Sequence, residues 1–465
     1  MSPHPSLPLS PEHAAQDFAL LALHRRIHQS NRNFRLGLGQ GQELIKLGLT
    51  DRPAAAMAYR LTHRITVNPG MLGPDGFVTG ALAADTTSGT FLEQRRAGIF
   101  DRLTDANLYG LRREVARLER WQKHLVVPIP QETGSDAFGR YLANLMREFQ
   151  PSAIIIGNEE NLHDIYAQDQ QRLQWYVDRF VTGQRAIRKI DPLASVHMYG
   201  EAYHTRSDKR FFLQSALAML RSRGVLPDAL LAHFYDHPDL LQPWLDAISA
   251  ATTEAIQQPL PIIVGELGHF GDVIGGGTIV RQGAADEQRL SPEEQSRAVA
   301  QLLAAATASS ARQAFYYGAI DTISGGGFES RKGLTVYADS SANMIPRPAL
   351  TVFRFVTDLL AGASASLHAN DANGLTAVRF VRPPLTPDEE RDLEGWIVWV
   401  NDQRGEPREF TLPPGFAGYD IYGRMQSDAR QEAQVIRLAE SRNPHVGGDT
   451  AIFFRLTGNT PFPLP

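Results

Sequence analysis

Two glutamates each follow a short apolar run at the point where a buried strand would end. Glu159 lies in the stretch IIIGNEEN, residues 154–161, and Glu266 lies in VGELG, residues 264–268. Glycoside hydrolysis needs two opposed carboxylates: one protonates the departing oxygen, and the other, about 5 to 5.5 Å away in retaining enzymes, attacks the anomeric carbon. If the fold brings the two runs together, Glu159 is the expected acid/base and Glu266 the expected nucleophile.

The elements that must position these glutamates form a repeating pattern. Eight short apolar runs are each followed by polar or Gly-rich residues: 33–39, 56–61, 124–130, 153–159, 195–201, 229–236, 261–268 and 313–321. Continuous apolar runs are typical of parallel strands buried on both faces, and the intervening segments show the apolar spacing of helices. Eight strand-helix units predict an α/β fold, a (β/α)8 TIM barrel with insertions.

In such a barrel the two glutamates end strands four and seven, which face each other across the mouth. Active sites of these barrels lie at the carboxyl ends of the strands. Three long segments, residues 69–100, 271–290 and 322–345, also follow predicted strands, so we expect them to be loops at this end.

The pattern changes after about residue 361. Runs such as GWIVWVND and TAIFFRLTG are short, partly alternating and bounded by Pro, Gly and Asp. They predict a small antiparallel β-sandwich domain. The expected organisation is an N-terminal helical extension over 1–32, the catalytic barrel over 33–361 and the sandwich over 362–465.

The Asn-Glu pair of GNEEN and the Glu of VGELG resemble the signature of clan A retaining glycoside hydrolases, over most of residues 33–361. This resemblance implies that Asn158 bonds the sugar 2-hydroxyl. The run HFYDHPD is similar to the clan's His-x-Tyr, which implies that Tyr235 holds the nucleophile. Arg60, in AMAYR, is the candidate for the arginine that clan members aim at the nucleophile, with Arg64 as an alternative.

One feature departs from the clan. Many relatives end strand eight in a Trp that floors the sugar site, whereas this chain has AFYYGAID. Tyr316 or Tyr317 is therefore the expected platform, and Tyr317 is our candidate.

Strands five and six each carry two polar aromatic side chains on one face. His197 and Tyr199 are two residues apart, as are His233 and Tyr235, so each pair shares a strand face. Each of these side chains either lines the site and binds substrate or is a buried polar group with internal partners. Glu160 should point elsewhere, as an acid in the first turn of a helix. A metal cluster of His233, Asp236, His237 and Asp239 lacks supporting ligand spacing elsewhere, so no metal is predicted.

Composition narrows the classes of function. The chain has 465 residues, 43% of them hydrophobic, a formal net charge of -5 and no cysteine. These values predict a globular protein without disulfides or a thiolate nucleophile, and they give no reason to expect a nucleic-acid or membrane partner. Neither a signal peptide nor a run of about 18 apolar residues is recognisable, which predicts a cytoplasmic location.

The sequence therefore predicts a retaining glycosidase that acts on a carbohydrate with β-type linkages and needs no cofactor. Two alternatives stay open. A barrel of this fold could bind carbohydrate without catalysis, and a nucleotide-dependent barrel enzyme could use the Gly-rich stretch GLGQGQE at 37–43. The sugar, endo or exo action, transglycosylation and oligomeric state are not predicted.

Overall fold

The chain forms a closed barrel of parallel strands followed by antiparallel sheets, as shown by a computed structural model. The structure describes residues 35–38, 62–66, 123–129, 134–160, 170–202, 211–268, 290–318, 333–337, 344–360, 362–370, 374–384, 391–401, 407–412, 414–428, 434–440 and 446–456. The N-terminal segment 1–32, the stretch 69–100 and most of 271–290 and 322–345 lie outside these ranges.

Eight strands make up the barrel in chain order. They are β1 (Arg35–Leu38), β2 (Thr62–Thr66), β3 (Lys123–Val127), β4 (Ala153–Ile156), β5 (Ser195–Ala202), β6 (Ala229–Tyr235), β7 (Ile262–Gly268) and β8 (Gln313–Tyr316). The barrel closes because β8 pairs in parallel with β1, from Arg35 opposite Gln313 to Leu38 opposite Tyr316. The eight-stranded parallel barrel predicted from the apolar runs is therefore present.

The second strand differs from the prediction. It spans Thr62–Thr66 and pairs with β1 at Gly37 and with β3 at Lys123, whereas the sequence predicted it over 56–61. The run AMAYRL contains Ala, Met and Leu, which favour helix, while THRIT is rich in β-branched residues that favour a pleated surface. Arg60 therefore precedes the strand rather than ending it, and it lies outside the described residues.

Helices pack around the outside of the barrel. They are α1 (Ser135–Phe149), α2 (Gln170–Ile190), α3 (Phe211–Ser222), α4 (Leu241–Ile256), α5 (Pro292–Ala308) and α6 (Pro348–Leu360), with a short 3₁₀ helix at Pro238–Leu240 before α4. Local sequence specifies the start of α5: the Ser291 hydroxyl accepts from the Glu294 N–H, and the Glu294 carboxylate accepts from the Ser291 N–H. This capping box satisfies two backbone donors that a helix start otherwise leaves unbonded. In the part of the chain that the structure describes, no helix combines the length and hydropathy needed to cross a bilayer.

The barrel strands are buried on both faces. Val126, Ile155, Tyr199, Leu231 and Phe315 belong to one cluster that fills the interior. Alternate strand residues face outward and join a larger core with the helices. The continuous apolar runs in the sequence follow from this two-sided burial.

Antiparallel strands follow α6. Before that helix, β9 (Thr335–Tyr337) and β10 (Met344–Pro346) pair as a hairpin. The strands after the helix are β11 (Ser364–Asn370), β12 (Leu375–Arg382), β13 (Leu393–Val400), β14 (Arg408–Leu412), β15 (Ala417–Tyr419), β16 (Met425–Asp428), β17 (Gln434–Leu438) and β18 (Thr450–Leu456). Six of them form one sheet in the order β11-β12-β13-β18-β15-β16, and β14 pairs with β17. The ring of Phe410 on β14 stacks on Phe453 of β18 with centroids 5.0 Å apart, so the two sheets are in contact.

The antiparallel strands pack directly against the barrel helices. The Gln301 side chain on α5 donates to the Gly448 carbonyl at 3.0 Å and accepts from the Gly447 N–H at 3.0 Å. Ile397, Trp399 and Ile452 belong to the same apolar core as the barrel helices. Because this core is continuous, the division into domains at residues 361 and 362 stays a prediction, although the change of architecture lies between Leu360 and Ser364.

Candidate active site

The turn after β4 places Glu159 at the carboxyl end of the barrel. Its backbone is unusual, because Gly157 has φ +96° and Glu159 has φ +55°. The Gly157 N–H donates to the Val127 carbonyl at 2.9 Å, and the Tyr176 hydroxyl donates to the Ile156 carbonyl at 3.1 Å. Bonds from β3 and α2 therefore hold the end of β4, while left-handed backbone turns Glu159 out of the strand direction.

We expect Gly157→Ala to destabilise the fold and to displace Glu159. An added Cβ would lie 3.0 Å from the Glu160 carboxylate oxygen and 3.1 Å from the Tyr176 ring, at a φ that L side chains rarely adopt. Gly224, at φ +64°, has no atom within 4 Å of its own added Cβ. Left-handed backbone costs either alanine about 1 to 2 kcal/mol, and crowding should add about 1 to 3 kcal/mol at Gly157 alone. Urea unfolding of both variants measures the difference, and equal losses would contradict this account.

Strands β6 and β7 bring three more side chains to the same place. His233 lies opposite Glu266 in the parallel register, after a shift between Ala232 and His233. The His233 Nδ1 is 2.9 Å from a Glu159 oxygen and 3.3 Å from a Glu266 oxygen. The Tyr235 hydroxyl donates a hydrogen bond to the same Glu266 oxygen, Oε2. One buried histidine nitrogen therefore lies between two carboxylates that come from opposite sides of the barrel.

The two carboxylates differ in their surroundings. One oxygen of Glu159, one of Glu266 and the His233 Nδ1 all lie within 4.8 Å of one another. The Glu159 side chain is 32% exposed and the Glu266 side chain 11% exposed. Glu159 is therefore the more accessible partner, and Glu266 is enclosed by hydrogen-bonding groups.

The Tyr235 hydroxyl stays protonated beside Glu266 and donates a hydrogen bond to it. Burial, followed by the negative charge of Glu266, raises the pKa of the Tyr235 hydroxyl well above its ordinary value. Because the hydroxyl keeps its proton at neutral pH, it can donate to the carboxylate. Tyr235 therefore presents a neutral O–H donor to the Glu266 side chain.

The remaining predicted residues on this side of the barrel lie next to the carboxylates. Asn158 is half-buried and immediately precedes Glu159. Tyr317 is half-buried, and its ring is edge-on to Tyr235 with centroids 6.2 Å apart. Tyr316 is fully buried and packs on Phe353 of α6 instead. Of the two candidate platforms, Tyr317 is the one beside the site.

His197 and Tyr199, which the sequence left as either substrate-binding residues or buried polar groups, pack among other side chains. Both are buried inside the barrel. His197 pairs in register with Ala229, the first residue of β6, and its ring contacts His124 with centroids 5.9 Å apart. The Tyr199 ring is edge-on to His233, with centroids 5.1 Å apart, and supports that histidine from below. The two-residue period identified the strand face correctly, but it says nothing about depth along the barrel.

Burial of His197 predicts a pH dependence of stability. Burial lowers the pKa of His197 from 6.5 to about 4, with smaller effects from Asp228, which raises it, and from Arg312, which lowers it. Between these pH values the unfolded chain binds a proton that the folded protein does not, so stability falls as pH falls from 6.5 to 4. Relative to His197→Gln, the wild type should lose up to roughly 3 kcal/mol of unfolding free energy between pH 7 and pH 4.

Urea unfolding at the two pH values measures this difference, and exposed His368→Gln should follow the wild type. Equal losses of unfolding free energy in the wild type and in His197→Gln would contradict the attribution of this pH dependence to His197.

Glu159, His233 and Glu266 are also the residues that could hold a divalent cation. Among the described residues they are the group of His and carboxylate ligands found close enough together for this, and Zn²⁺ accepts such ligands. The alternative cluster with Asp236, His237 and Asp239 does not form around His233. Instead, the His237 Nδ1 accepts from the Asp239 N–H at 3.3 Å and caps the 3₁₀ helix.

Two features predicted from the sequence lie wholly or mostly outside the described residues. Arg60 lies outside the described residues, as do all but the first two residues of the stretch GLGQGQE. Arg64 lies within β2.

Sequence reasoning missed the position of Glu160. This side chain is only 4% exposed, and its carboxylate accepts from the Asn158 N–H at 3.2 Å. It folds back onto the turn and is buried there. A glycine immediately before the Asn-Glu-Glu run was the available signal, because an added Cβ there would meet this side chain.

Comparison with known proteins shows the fold. No protein-family model matches the chain, and no curated protein matches it. BuGH86wt, solved in complex with neoagarooctaose, has a TM-score of 0.52 at 12% identity, over 92% of this chain and 76% of that chain. A glucosidase from Croceicoccus marinus has a TM-score of 0.49 at 13% identity, over 76% and 82% of the two chains. The likeness to BuGH86wt shows that this chain shares the fold of that protein.

Proposed function

We propose that the protein is a retaining glycoside hydrolase that cleaves β-type glycosidic bonds. The observation that carries this proposal is the pair of carboxylates, Glu159 and Glu266, whose nearest ligand oxygens lie within 4.8 Å across His233. Retaining glycosidases hold their two carboxyl groups about 5 to 5.5 Å apart, whereas inverting ones leave about 6.5 to 9.5 Å for a water molecule. The short separation favours double displacement.

The surroundings of the carboxylates support a division of roles. Glu266, enclosed and accepting from Tyr235, attacks the anomeric carbon and forms the glycosyl-enzyme bond as the aglycone C–O bond breaks. Glu159, the more exposed, gives its proton to the departing oxygen. In the second step Glu159 takes a proton from water, the water oxygen bonds to the anomeric carbon, and Glu266 is released as a carboxylate.

The neighbouring residues have roles that follow from their positions and from the clan resemblance. Asn158, next to the acid/base, bonds the sugar 2-hydroxyl. Tyr317, half-buried beside Tyr235, provides the platform under the sugar ring, and Arg60 is the proposed cation near the nucleophile. His233 orients both carboxylates. These steps use only side chains, so the proposal includes no metal or organic cofactor.

The appended strands complete the proposed architecture. Contact between the six-stranded sheet and the β14–β17 pair, through Phe410 and Phe453, supports a β-sandwich after the barrel. Likeness over 92% of this chain to a structure solved with neoagarooctaose also supports a carbohydrate substrate.

Stereochemistry of the first-formed product tests the proposal. A panel of aryl β-glycosides of different sugars is incubated with the protein, and NMR records the anomer released before mutarotation. We expect the β anomer first, with the same rate after dialysis against EDTA. An α anomer released first would contradict the retaining mechanism. Binding of oligosaccharides without turnover of any aryl glycoside would favour the non-catalytic alternative.

A further inference from the structure

The carboxylate that follows the proposed acid/base is held inside the turn. Glu160 is 4% exposed, although Glu159 immediately before it is 32% exposed at the side chain. A buried carboxylate is costly unless hydrogen bonds compensate for its lost hydration. Glu160 accepts from the Asn158 N–H at 3.2 Å. The side chain of Glu160 thus bonds backward to the residue before the acid/base.

Contacts around Gly157 show how closely this side chain lies against the turn. An added Cβ on Gly157 would come within 3.0 Å of the Glu160 Oε1, 3.1 Å of its Cγ and 3.1 Å of the Tyr176 ring. Glu160 therefore fills the space that the missing glycine side chain leaves. Its carboxylate, the Gly157 backbone and the Tyr176 ring form one packed unit.

The packed unit lies next to a residue with left-handed backbone. Glu159 has φ +55°, a conformation that non-glycine residues adopt at a cost and that persists where surrounding contacts enforce it. The bond from Glu160 to the Asn158 N–H spans Glu159, because it joins the residues on either side of it. Loss of this bond would free the peptide units that set the direction of the Glu159 side chain.

We propose that Glu160 is a positioning residue for acid catalysis. It holds Glu159 in its left-handed conformation through the Asn158 N–H, so that the Glu159 carboxyl reaches the departing oxygen. This inference rests on the proposed glycosidase function and adds a residue that does not itself touch the substrate. A displacement of about 1 Å in a catalytic group can cost about 10²-fold in rate.

Leaving-group dependence separates this role from a merely structural one. Poor leaving groups need a proton from the acid in the first step, whereas 2,4-dinitrophenolate departs without one. We expect Glu160→Ala to lower kcat/KM about 10²-fold for phenyl or methylumbelliferyl glycosides and only a few-fold for the 2,4-dinitrophenyl glycoside. Glu160→Gln keeps an oxygen acceptor for the Asn158 N–H and should retain most of the wild-type activity on both.

The matched control is Glu394, another buried glutamate, which pairs with Arg379 and Arg455 on the six-stranded sheet. Glu394→Ala should lower the melting temperature while leaving the ratio between the two substrates unchanged. If Glu160→Ala does not fold, Glu160→Asp, whose side chain is one methylene shorter, is tested instead. It should also lose more kcat/KM on the phenyl glycoside than on the 2,4-dinitrophenyl glycoside, but to a smaller degree.

The outcomes separate the two proposals. An active wild type, with equal losses on both substrates in Glu160→Ala or in Glu160→Asp, overturns the positioning role and leaves the glycosidase proposal standing. Full activity of a folded Glu160→Ala overturns it as well. A wild type that turns over no glycoside of the panel overturns both.

Discussion

Glu266→Gln should reduce turnover of every glycoside substrate by at least about 10⁴-fold, because an amide oxygen cannot replace the carboxylate as nucleophile. The substitution preserves shape, and Tyr235 can still donate to the amide oxygen, so the fold should stay intact. The measurement is kcat/KM with a 2,4-dinitrophenyl glycoside, for which departure of the aglycone needs no acid. Loss of the nucleophile is therefore the only chemical defect that this substrate reports.

Two controls accompany this variant. Glu254→Gln replaces an exposed glutamate of α4 that bonds Gln214 at 2.9 Å, and it should leave turnover unchanged. Thermal melting of Glu266→Gln should lie close to that of the wild type. Retention of more than about one hundredth of the wild-type rate would exclude Glu266 as the nucleophile, given the size of the loss that covalent catalysis predicts.

Glu159→Ala should produce a second pattern, in which the loss depends on the substrate. General acid catalysis contributes about 10² to 10⁴-fold, so kcat/KM for a phenyl glycoside should fall by that amount. For the 2,4-dinitrophenyl glycoside the first step should be little affected, and the glycosyl-enzyme should accumulate because no base activates water. Azide, which needs no base, should then restore turnover.

The product of the azide reaction carries the diagnostic information. With Glu159 removed, attack on the glycosyl-Glu266 bond from the opposite face gives a β-glycosyl azide, the configuration of double displacement. An α-glycosyl azide would indicate a single displacement of the aglycone, with Glu266 acting as a base instead of a nucleophile. A uniform loss on both substrates without azide rescue would contradict the acid/base assignment.

The barrel was predictable because its strands are buried on both faces. Runs such as AIII and ALLAHFY carry that burial in their composition, and the glutamates at the ends of β4 and β7 follow from strand order alone. The strand β2 was misplaced because THRIT has one apolar residue, Ile65, among polar ones, while the nearby run AMAYRL is more apolar. For the position of β2, the content of β-branched residues was a better predictor than the mean hydropathy of the run.

The candidate site was predictable in its carboxylates and less so in its supporting residues. A two-residue period put His233 on the face of Tyr235, but the shift in register before His233 decides that its Nδ1 reaches both glutamates. His197 shares the same kind of period and yet lies near the bottom of the barrel. Depth depends on pairing register, and no local pattern encodes register between parallel strands that are far apart in the chain.

Glu160 shows a third limit of prediction from the sequence, which concerns the burial of a charged residue. Charged residues after a strand usually face solvent, so an acidic neighbour of Glu159 is expected at the surface. Its burial depends on a left-handed turn, on the absent side chain of Gly157 and on Tyr176 from α2. Contacts from two separate parts of the sequence, the turn and α2, combine there, and a local sequence pattern contains only the first of them.

Trapping the covalent intermediate tests the central claim most directly. The protein is incubated with a panel of activated 2-deoxy-2-fluoro glycosides, which slow the second step, and intact mass is followed by peptide mapping. We predict a single adduct on Glu266 that is absent from Glu266→Gln, with the fastest-labelling sugar indicating the substrate. An adduct on another residue, or no adduct with any sugar from a folded protein that releases no aryl aglycone, would contradict the account.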